Sequence, residues 1–209
     1  MLFMKDFELP ALYPITDTKI SGLSHPAQVE RLIAGGAKLI QLREKFLSPK
    51  VFFAEAVKAI KIAREHKIKI LINDRVDIAL CAQADGVHLG QTDLPPQAAR
   101  FVLGSRAIIG FSTHNLEQAI AATELPLDYI AMGPIFSTAT KENPDETIGL
   151  NNLQLIAQAV NGLPLVAIGG INKENARSCL EAGADSVAVI SALLKNPNAI
   201  AETTKNFLA

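Results

Sequence analysis

Short apolar runs alternate with longer stretches in which apolar residues recur every three or four positions. The runs are Ala11–Ile15, Lys38–Leu42, Lys69–Ile72, Gly86–Leu89, Ala107–Gly110, Asp128–Met132, Pro164–Ile168 and Ser186–Ile190. Most show no polar alternation, which suits parallel strands covered on both faces. The stretches between them read as helices. Ser48-Pro49 opens one, with proline at the first helical position and an acceptor before it. Phe52, Phe53, Ala56, Ile60 and Ala63 then follow at helical spacing. Asn172 is a candidate cap for another helix, which contains Asn175 and Ala176 and stops before Gly183.

A weak internal repeat supports this division. The segments AGGAKLIQL, AQADGVHL, LPLDYIAM and EAGADSVAV each place a small or turn-forming lead-in before a strand. They recur about every 45–55 residues, or two strand–helix units. Eight such units in 209 residues, with no linker or low-complexity segment, predict an α/β fold: a (β/α)8 TIM barrel forming one domain over residues 1–209. An open doubly wound sheet also alternates strand and helix, but rarely needs eight strands in so short a chain.

Composition narrows the function classes. Hydrophobic residues make up 49% and charged residues 20%, with a formal net charge of -1. That argues for a globular chain and against a basic field for nucleic acid. No apolar run approaches the ~18 residues of a membrane span. Charges interrupt the apolar N-terminus MLFMKDFELP, so no signal peptide is expected. Two cysteines, Cys81 and Cys179, fall in helical stretches and make no disulfide framework, which fits a reducing cytoplasm.

In a barrel the chemistry belongs at the C-terminal strand ends. Strand one ends in Thr16-Asp17, and strand two runs from Gln41 into Arg43-Glu44-Lys45. Strands three and four end in Asn73-Asp74 and Gly90-Gln91-Thr92-Asp93, and strand five in Ser112-Thr113-His114. A long loop from Gly133 to Lys141 follows strand six, Gly169-Gly170 follows strand seven, and Ser191 follows strand eight. Each group also has a plain structural reading. Asp74 is a candidate helix cap, and Ser112 or Asn115 caps the helix after strand five. Arg43, Glu44 and Lys45 suit a salt-bridged loop, and His88 suits a hydrogen-bonded core position. What those readings leave unexplained is why so many polar groups share one rim. Asp74 and Asp93 at neighbouring strand ends suit Mg²⁺, which takes carboxylate together with phosphate oxygens. The turns after strands seven and eight, Gly169-Gly170 and Ile190-Ser191, suit a phosphate held by backbone N–H groups. Two phosphorylated ends with a metal at one of them point to joining two small molecules with loss of pyrophosphate.

The motifs LYPITD, QLREK, LINDRVDIA, ADGVHLGQTD, IIGFSTH, GPIFSTATK, IGGI and VISA resemble, in order and spacing, those of the thiamine phosphate synthase family. The resemblance spans essentially the whole chain. It implies a cytoplasmic transferase that joins hydroxymethylpyrimidine diphosphate to a thiazole phosphate, releasing thiamine phosphate and pyrophosphate. In that family diphosphate leaves first, and the thiazole nitrogen captures the pyrimidine cation. Gln41, Arg43 and Lys45, with Leu42 and Glu44 in the same segment, match the positions that hold the pyrimidine diphosphate. Asn73, Ser112 and Lys141 match further diphosphate contacts, with Arg43, Lys45, Ser112 and Lys141 expected to serve catalysis. Asp74 and Asp93 match Mg²⁺ ligands. Thr138, Ala139 and Thr140, with Gly170, Ile190 and Ser191, match the thiazole phosphate site. Small molecules are thus the expected partners, with no nucleic acid and no membrane. Three other readings are a thiazole tautomerase of the sister family, a Schiff-base aldolase and a non-catalytic binder of phosphorylated metabolites. Retention of both aspartates with Arg43, Lys45 and Lys141 argues against the tautomerase.

Overall fold

A computed structural model describes residues 7–138, 146–160 and 162–207. Its order is β1 (Leu12–Thr16), α1 (Thr18–Ser21), α2 (His25–Ala34), β2 (Leu39–Leu42), α3 (Pro49–Glu65), β3 (Lys69–Asn73), α4 (Val76–Cys81) and β4 (Gly86–Leu89). Then come α5 (Pro96–Leu103), β5 (Ile108–Thr113), α6 (Leu116–Ala122), β6 (Tyr129–Met132), α7 (Gly149–Ala159), β7 (Leu165–Ile168), α8 (Ala176–Glu181), β8 (Ser186–Val189), α9 (Ser191–Leu194), a short 3₁₀ turn (Pro197–Ala199) and α10 (Ile200–Lys205). The eight strands pair in sequence order and β8 returns to β1, so the sheet is a closed parallel barrel. The open sheet is excluded.

Strand alternation sorts the side chains into two layers. Ile40, Leu42, Ile70, Ile72, Val87, Leu89, Ile130 and Val187 face the helices and join one large apolar cluster with helix residues such as Phe52, Ile60 and Leu153. Tyr13, Ile15, Leu39, Leu71, Ile108, Tyr129, Val166 and Ala188 point into the barrel and form a second, smaller cluster. Helix α3 starts as its sequence predicts, with the Val51 N–H donating to Ser48 Oγ. Phe52, Ala56, Ile60 and Ala63 are buried on its inner face, whereas Phe53 is turned outward and 37% exposed. Helix α8 begins later than expected. The Asn172 side chain accepts the Glu174 and Asn175 N–H groups, and the helix itself starts at Ala176.

The internal repeat has a mechanical basis. Asp85, Asp128 and Asp185 stand immediately before β4, β6 and β8. Their carboxylates accept the N–H groups of Ile70, Ile109 and Leu165, at the starts of β3, β5 and β7, at 2.8, 2.7 and 2.8 Å. Each aspartate pins two neighbouring strands at the closed end of the barrel, away from the mouth. Asp128 is braced further by Arg100, at 2.7 Å. Lys38 holds the equivalent place before β2.

Candidate active site

The C-terminal strand ends carry three distinct polar assemblies. The deepest runs through the barrel itself. Gln41 on β2 donates through Nε2 to the Tyr13 hydroxyl at 2.9 Å. Tyr13 meets the Tyr129 hydroxyl at 3.0 Å, and Tyr129 meets His88 Nδ1 at 2.9 Å. His88 Nε2 then lies 2.8 Å from Ser112 Oγ, which is partly exposed at the mouth. Five strands thus contribute to one buried hydrogen-bonded chain. Burial holds His88 well below the ordinary histidine range, at about 4, against a weaker opposing pull from Asp74. Its imidazole is therefore neutral at physiological pH, as a hydrogen-bonded core histidine should be. Tyr129 reaches across because Gly110 is its register partner on β5. A Cβ at Gly110 would lie 2.0 Å from the Tyr129 ring.

The second assembly is charged and sits over β1 to β4. Strand β2 ends at Leu42, so Arg43, Glu44 and Lys45 lie in the loop after it. Leu42 belongs to the layer beneath the helices. Arg43 Nη1 bonds Asp17 Oδ2 at 2.6 Å, and Lys45 Nζ reaches Asp74 Oδ2 at 2.5 Å. Glu44 turns the other way. It accepts the Thr18 hydroxyl and the Phe46 and Leu47 N–H groups and lies 3.2 Å from His25 Nε2. Burial acts to raise the Glu44 carboxyl, but those donors outweigh it and hold the group below its usual range. Glu44 thus ties the loop after β2 to α1 and α2.

Asp74 is not a helix cap. Arg75 occupies the N-cap position of α4, and no side chain caps there. Asp74 instead has a left-handed backbone, φ 61°, and the Arg75 N–H donates to the Asn73 carbonyl across it at 2.8 Å. Positive φ in a residue other than glycine is strained, and such strain collects at functional sites. Asp93 closes its own loop by accepting the Gly90 N–H at 2.6 Å. Burial raises the Asp93 carboxyl, the Gly90 N–H opposes that, and the nearby Asp74 carboxylate raises it again. The two carboxyls lie close enough to share a hydrogen bond. Like charges brought together out of bulk water are the donor set that a hard cation satisfies. Asp74 and Asp93 therefore fit Mg²⁺ chemically. Among the described residues no cluster of three or more His, Cys, Asp or Glu could hold a metal. The pair would leave most of the ion's coordination to water and substrate.

The third assembly is mostly backbone and lies over β6 to β8. Gly169 and Gly170 both have positive φ, 99° and 66°. The loop after β6 runs beside them, with Ile135 and Phe136 N–H groups donating to the Ile168 and Gly169 carbonyls at 2.9 and 3.0 Å. A Cβ on Gly170 would lie 2.5 Å from the Ser137 carbonyl oxygen. Glycine is thus required twice, by conformation and by the loop packed against it. Ile190 and Ser191 follow β8, the neighbour of β7, so they stand beside this turn. Thr138 is the last described residue of the loop. Ala139, Thr140 and Lys141 lie outside the described residues.

Gln41, Asn73, Asp74, Asp93, Ser112, Gly170, Ile190 and Ser191, with Arg43 and Lys45, thus share one end of the barrel. Glu44 and Leu42 share the segment but face away from the mouth. Asn115, not Ser112, caps α6, by accepting the Gln118 N–H at 2.8 Å. Sequence reasoning assigned no role to Tyr13, Tyr129, Gly110 or Asp17. The signal for the tyrosines was available: they are the only two in the chain, each inside a run that otherwise reads as apolar strand.

Comparison with known proteins agrees with this arrangement. A family model described as thiamine monophosphate synthase matches residues 12–193. A thiamine-phosphate synthase of Clostridium novyi is 47% identical over 186 residues, covering 88% of this chain and 91% of its own length. Another, from Koribacter versatilis, is 45% identical over 197 residues, covering 91% and 92%. The solved thiamine phosphate pyrophosphorylase from Pyrococcus furiosus superimposes with a TM-score of 0.83 at 36% identity, covering 94% of this chain and 92% of that one. With the fold, the order of its motifs and nearly its whole length matched, the chain belongs to the thiamine monophosphate synthase family.

Proposed function

We propose that the chain is a thiamine phosphate synthase acting as one catalytic domain over residues 1–209. It joins hydroxymethylpyrimidine diphosphate to a thiazole phosphate and releases thiamine phosphate and pyrophosphate. The observation that carries this reading is the division of the mouth. Paired cations and carboxylates stand over β1 to β4, and a glycine-lined turn stands over β6 to β8.

On the charged side Arg43 and Lys45 attract the diphosphate. Their attraction grows as the bond to the pyrimidine methylene breaks and charge gathers on the leaving oxygen, so they favour the transition state over the ground state. Asp17 and Asp74 hold both cations in place before substrate arrives. Asp74 and Asp93 would hold Mg²⁺, which when bound supplies further positive charge to the departing pyrophosphate. Gln41 presents its amide to the pyrimidine from within the barrel, and Asn73 and Ser112 face the diphosphate. On the other side, Gly170, Ile190 and Ser191, with Thr138, Ala139 and Thr140, hold the thiazole phosphate so that the ring nitrogen faces the pyrimidine methylene. Lys141 adds a cation from the same loop. This chemistry needs no strong base. It needs a neutralised leaving group, a positioned nucleophile and little water.

The ligands are small, and neither nucleic acid nor membrane enters the reading. No described helix is long and apolar enough to cross a membrane, and two free cysteines fit a reducing cytoplasm. The test is pyrophosphate release by the purified chain with both substrates and Mg²⁺. Release should require all three. Equal release without the thiazole phosphate would identify a hydrolase, and no release at all would overturn the reading.

A further inference from the structure

The buried chain from Gln41 to Ser112 has a direction. An amide nitrogen only donates, so Gln41 Nε2 occupies the Tyr13 oxygen as an acceptor. Tyr13 then gives its one proton to Tyr129, and Tyr129 gives its proton to His88 Nδ1. A neutral imidazole that accepts at Nδ1 carries its proton on Nε2, the nitrogen 2.8 Å from Ser112 Oγ. Ser112 therefore accepts from His88 and keeps its own proton. The opposite sense from Tyr129 onward would give the Tyr13 oxygen two donors and leave its proton no acceptor within this chain. Tyr13 is 1% and Tyr129 0% exposed, so an unmade bond there is costly.

We propose that Tyr13, Tyr129 and His88 are positioning residues for the reaction: their one-way hydrogen-bond chain fixes His88 as the Nε2–H tautomer and so commits the Ser112 hydroxyl proton to the anion in the mouth. The inference rests on reading that mouth as the diphosphate side. A serine hydroxyl is a rotor that can donate either inward or outward. If His88 accepted from it, Ser112 would turn lone pairs toward an anion and repel it. With His88 as donor, the outward proton is set before substrate binds, so none of the binding energy goes into reorienting it. Gly110 belongs to the same device. Its missing Cβ is what lets the Tyr129 ring lie over β5 and reach His88 on β4.

The tautomer is readable by long-range ¹H–¹⁵N correlation on the uniformly ¹⁵N-labelled, ligand-free chain. His88 is identified among the four histidines by the signals lost in His88→Gln. The expected pattern is a protonated Nε2 and an unprotonated Nδ1. The reverse pattern would overturn the proposal without any activity measurement. Tyr129→Phe removes the donor to Nδ1 and should abolish the tautomer preference, and Tyr13→Phe frees the Tyr129 hydroxyl to accept as well as donate and should weaken it. In kinetics, Tyr129→Phe should raise KM for the pyrimidine diphosphate roughly tenfold, the scale of one hydrogen bond, and leave KM for the thiazole phosphate unchanged. In a Ser112→Ala background Tyr129→Phe should have no further effect on KM. Equal losses in both backgrounds would show that Tyr129 does not act through Ser112. An enzyme that released no pyrophosphate would defeat the functional reading, and the tautomer would still decide the hydrogen-bond chain.

Discussion

The two sides of the barrel mouth are built differently. Over β1 to β4 the working groups are side chains: Arg43 on Asp17, Lys45 on Asp74, and Asp93 beside Asp74. Over β6 to β8 they are backbone: two left-handed glycines after β7 with the loop after β6 packed against them. The difference matches the chemistry of the two ends. In the proposed reaction charge changes at the diphosphate, where full charges already held in place stabilise that change. In the same proposal the thiazole phosphate keeps its charge throughout, and a fixed backbone cradle needs only to place it. Substitutions on the first side should therefore alter rate, and substitutions on the second should alter affinity.

The largest break should come from the carboxylate pair. Asp74→Ala and Asp93→Asn should each lower turnover on the order of 10³-fold, the scale of losing a preorganised charge contact in a water-poor site. Asp93→Asn should do so without loss of stability. Its carboxyl is raised in the folded chain, so the folded form binds the proton more tightly than the unfolded form. The stability that this proton provides is present at low pH and lost as pH rises, which leaves the ionised carboxylate a cost at neutral pH. Thermal unfolding at neutral pH should show the variant unchanged or more stable than the parent. A clear fall in melting temperature would make Asp93 a structural residue.

Next in size are the cations. Arg43→Ala and Lys45→Ala should each reduce kcat by about 10²–10³-fold with Mg²⁺ saturating. Lys45→Arg should restore part of that, since a guanidinium fork has a different shape and reach. A KM effect with kcat intact would place these residues on the ground state only.

A smaller and more selective effect belongs to Gly170. Gly170→Val imposes a side chain at φ 66° and a Cβ 2.5 Å from the Ser137 carbonyl oxygen, so the loop after β6 must move. Affinity for the thiazole phosphate, measured by calorimetry, should fall roughly tenfold or more, the scale of one lost hydrogen bond or greater. Affinity for the pyrimidine diphosphate should change much less. Equal weakening of both ligands would erase the distinction between the two sides.

The smallest effect on turnover should be that of Glu44→Gln, because Glu44 faces α1 and α2 rather than the mouth. Its cost falls on stability instead. An amide presents only one oxygen to donors that now meet two, for a loss of about 1–3 kcal/mol in chemical denaturation. A large kcat loss in folded Glu44→Gln would put its carboxylate back in the active site.

The barrel was legible because its signals are local. Eight apolar runs and their spacing gave strands within one or two residues at most ends. β5 was the exception, since Ser112 and Thr113 continue it past the apolar residues. The rim was legible because strand ends are. What the sequence hid were contacts between strands far apart in the chain. Tyr13 and Tyr129 are 116 positions apart, and nothing local marks them as one hydrogen-bonded pair. Glu44 was misleading for a related reason. Alternation places it facing away from Arg43 and Lys45, but gives no hint that Thr18 and His25 wait there with donors. Asp74 was ambiguous because a carboxylate before a helix usually caps it, and only its left-handed backbone and its bond to Lys45 remove it from that role.

In the proposed function the metal belongs to one side of the mouth alone. Calorimetric titration of each substrate, with Mg²⁺ present and then with it removed by chelation, tests this most directly. Removing Mg²⁺ should weaken binding of the pyrimidine diphosphate and leave binding of the thiazole phosphate unchanged. Equal loss of affinity for both, or a loss confined to the thiazole phosphate, would contradict it.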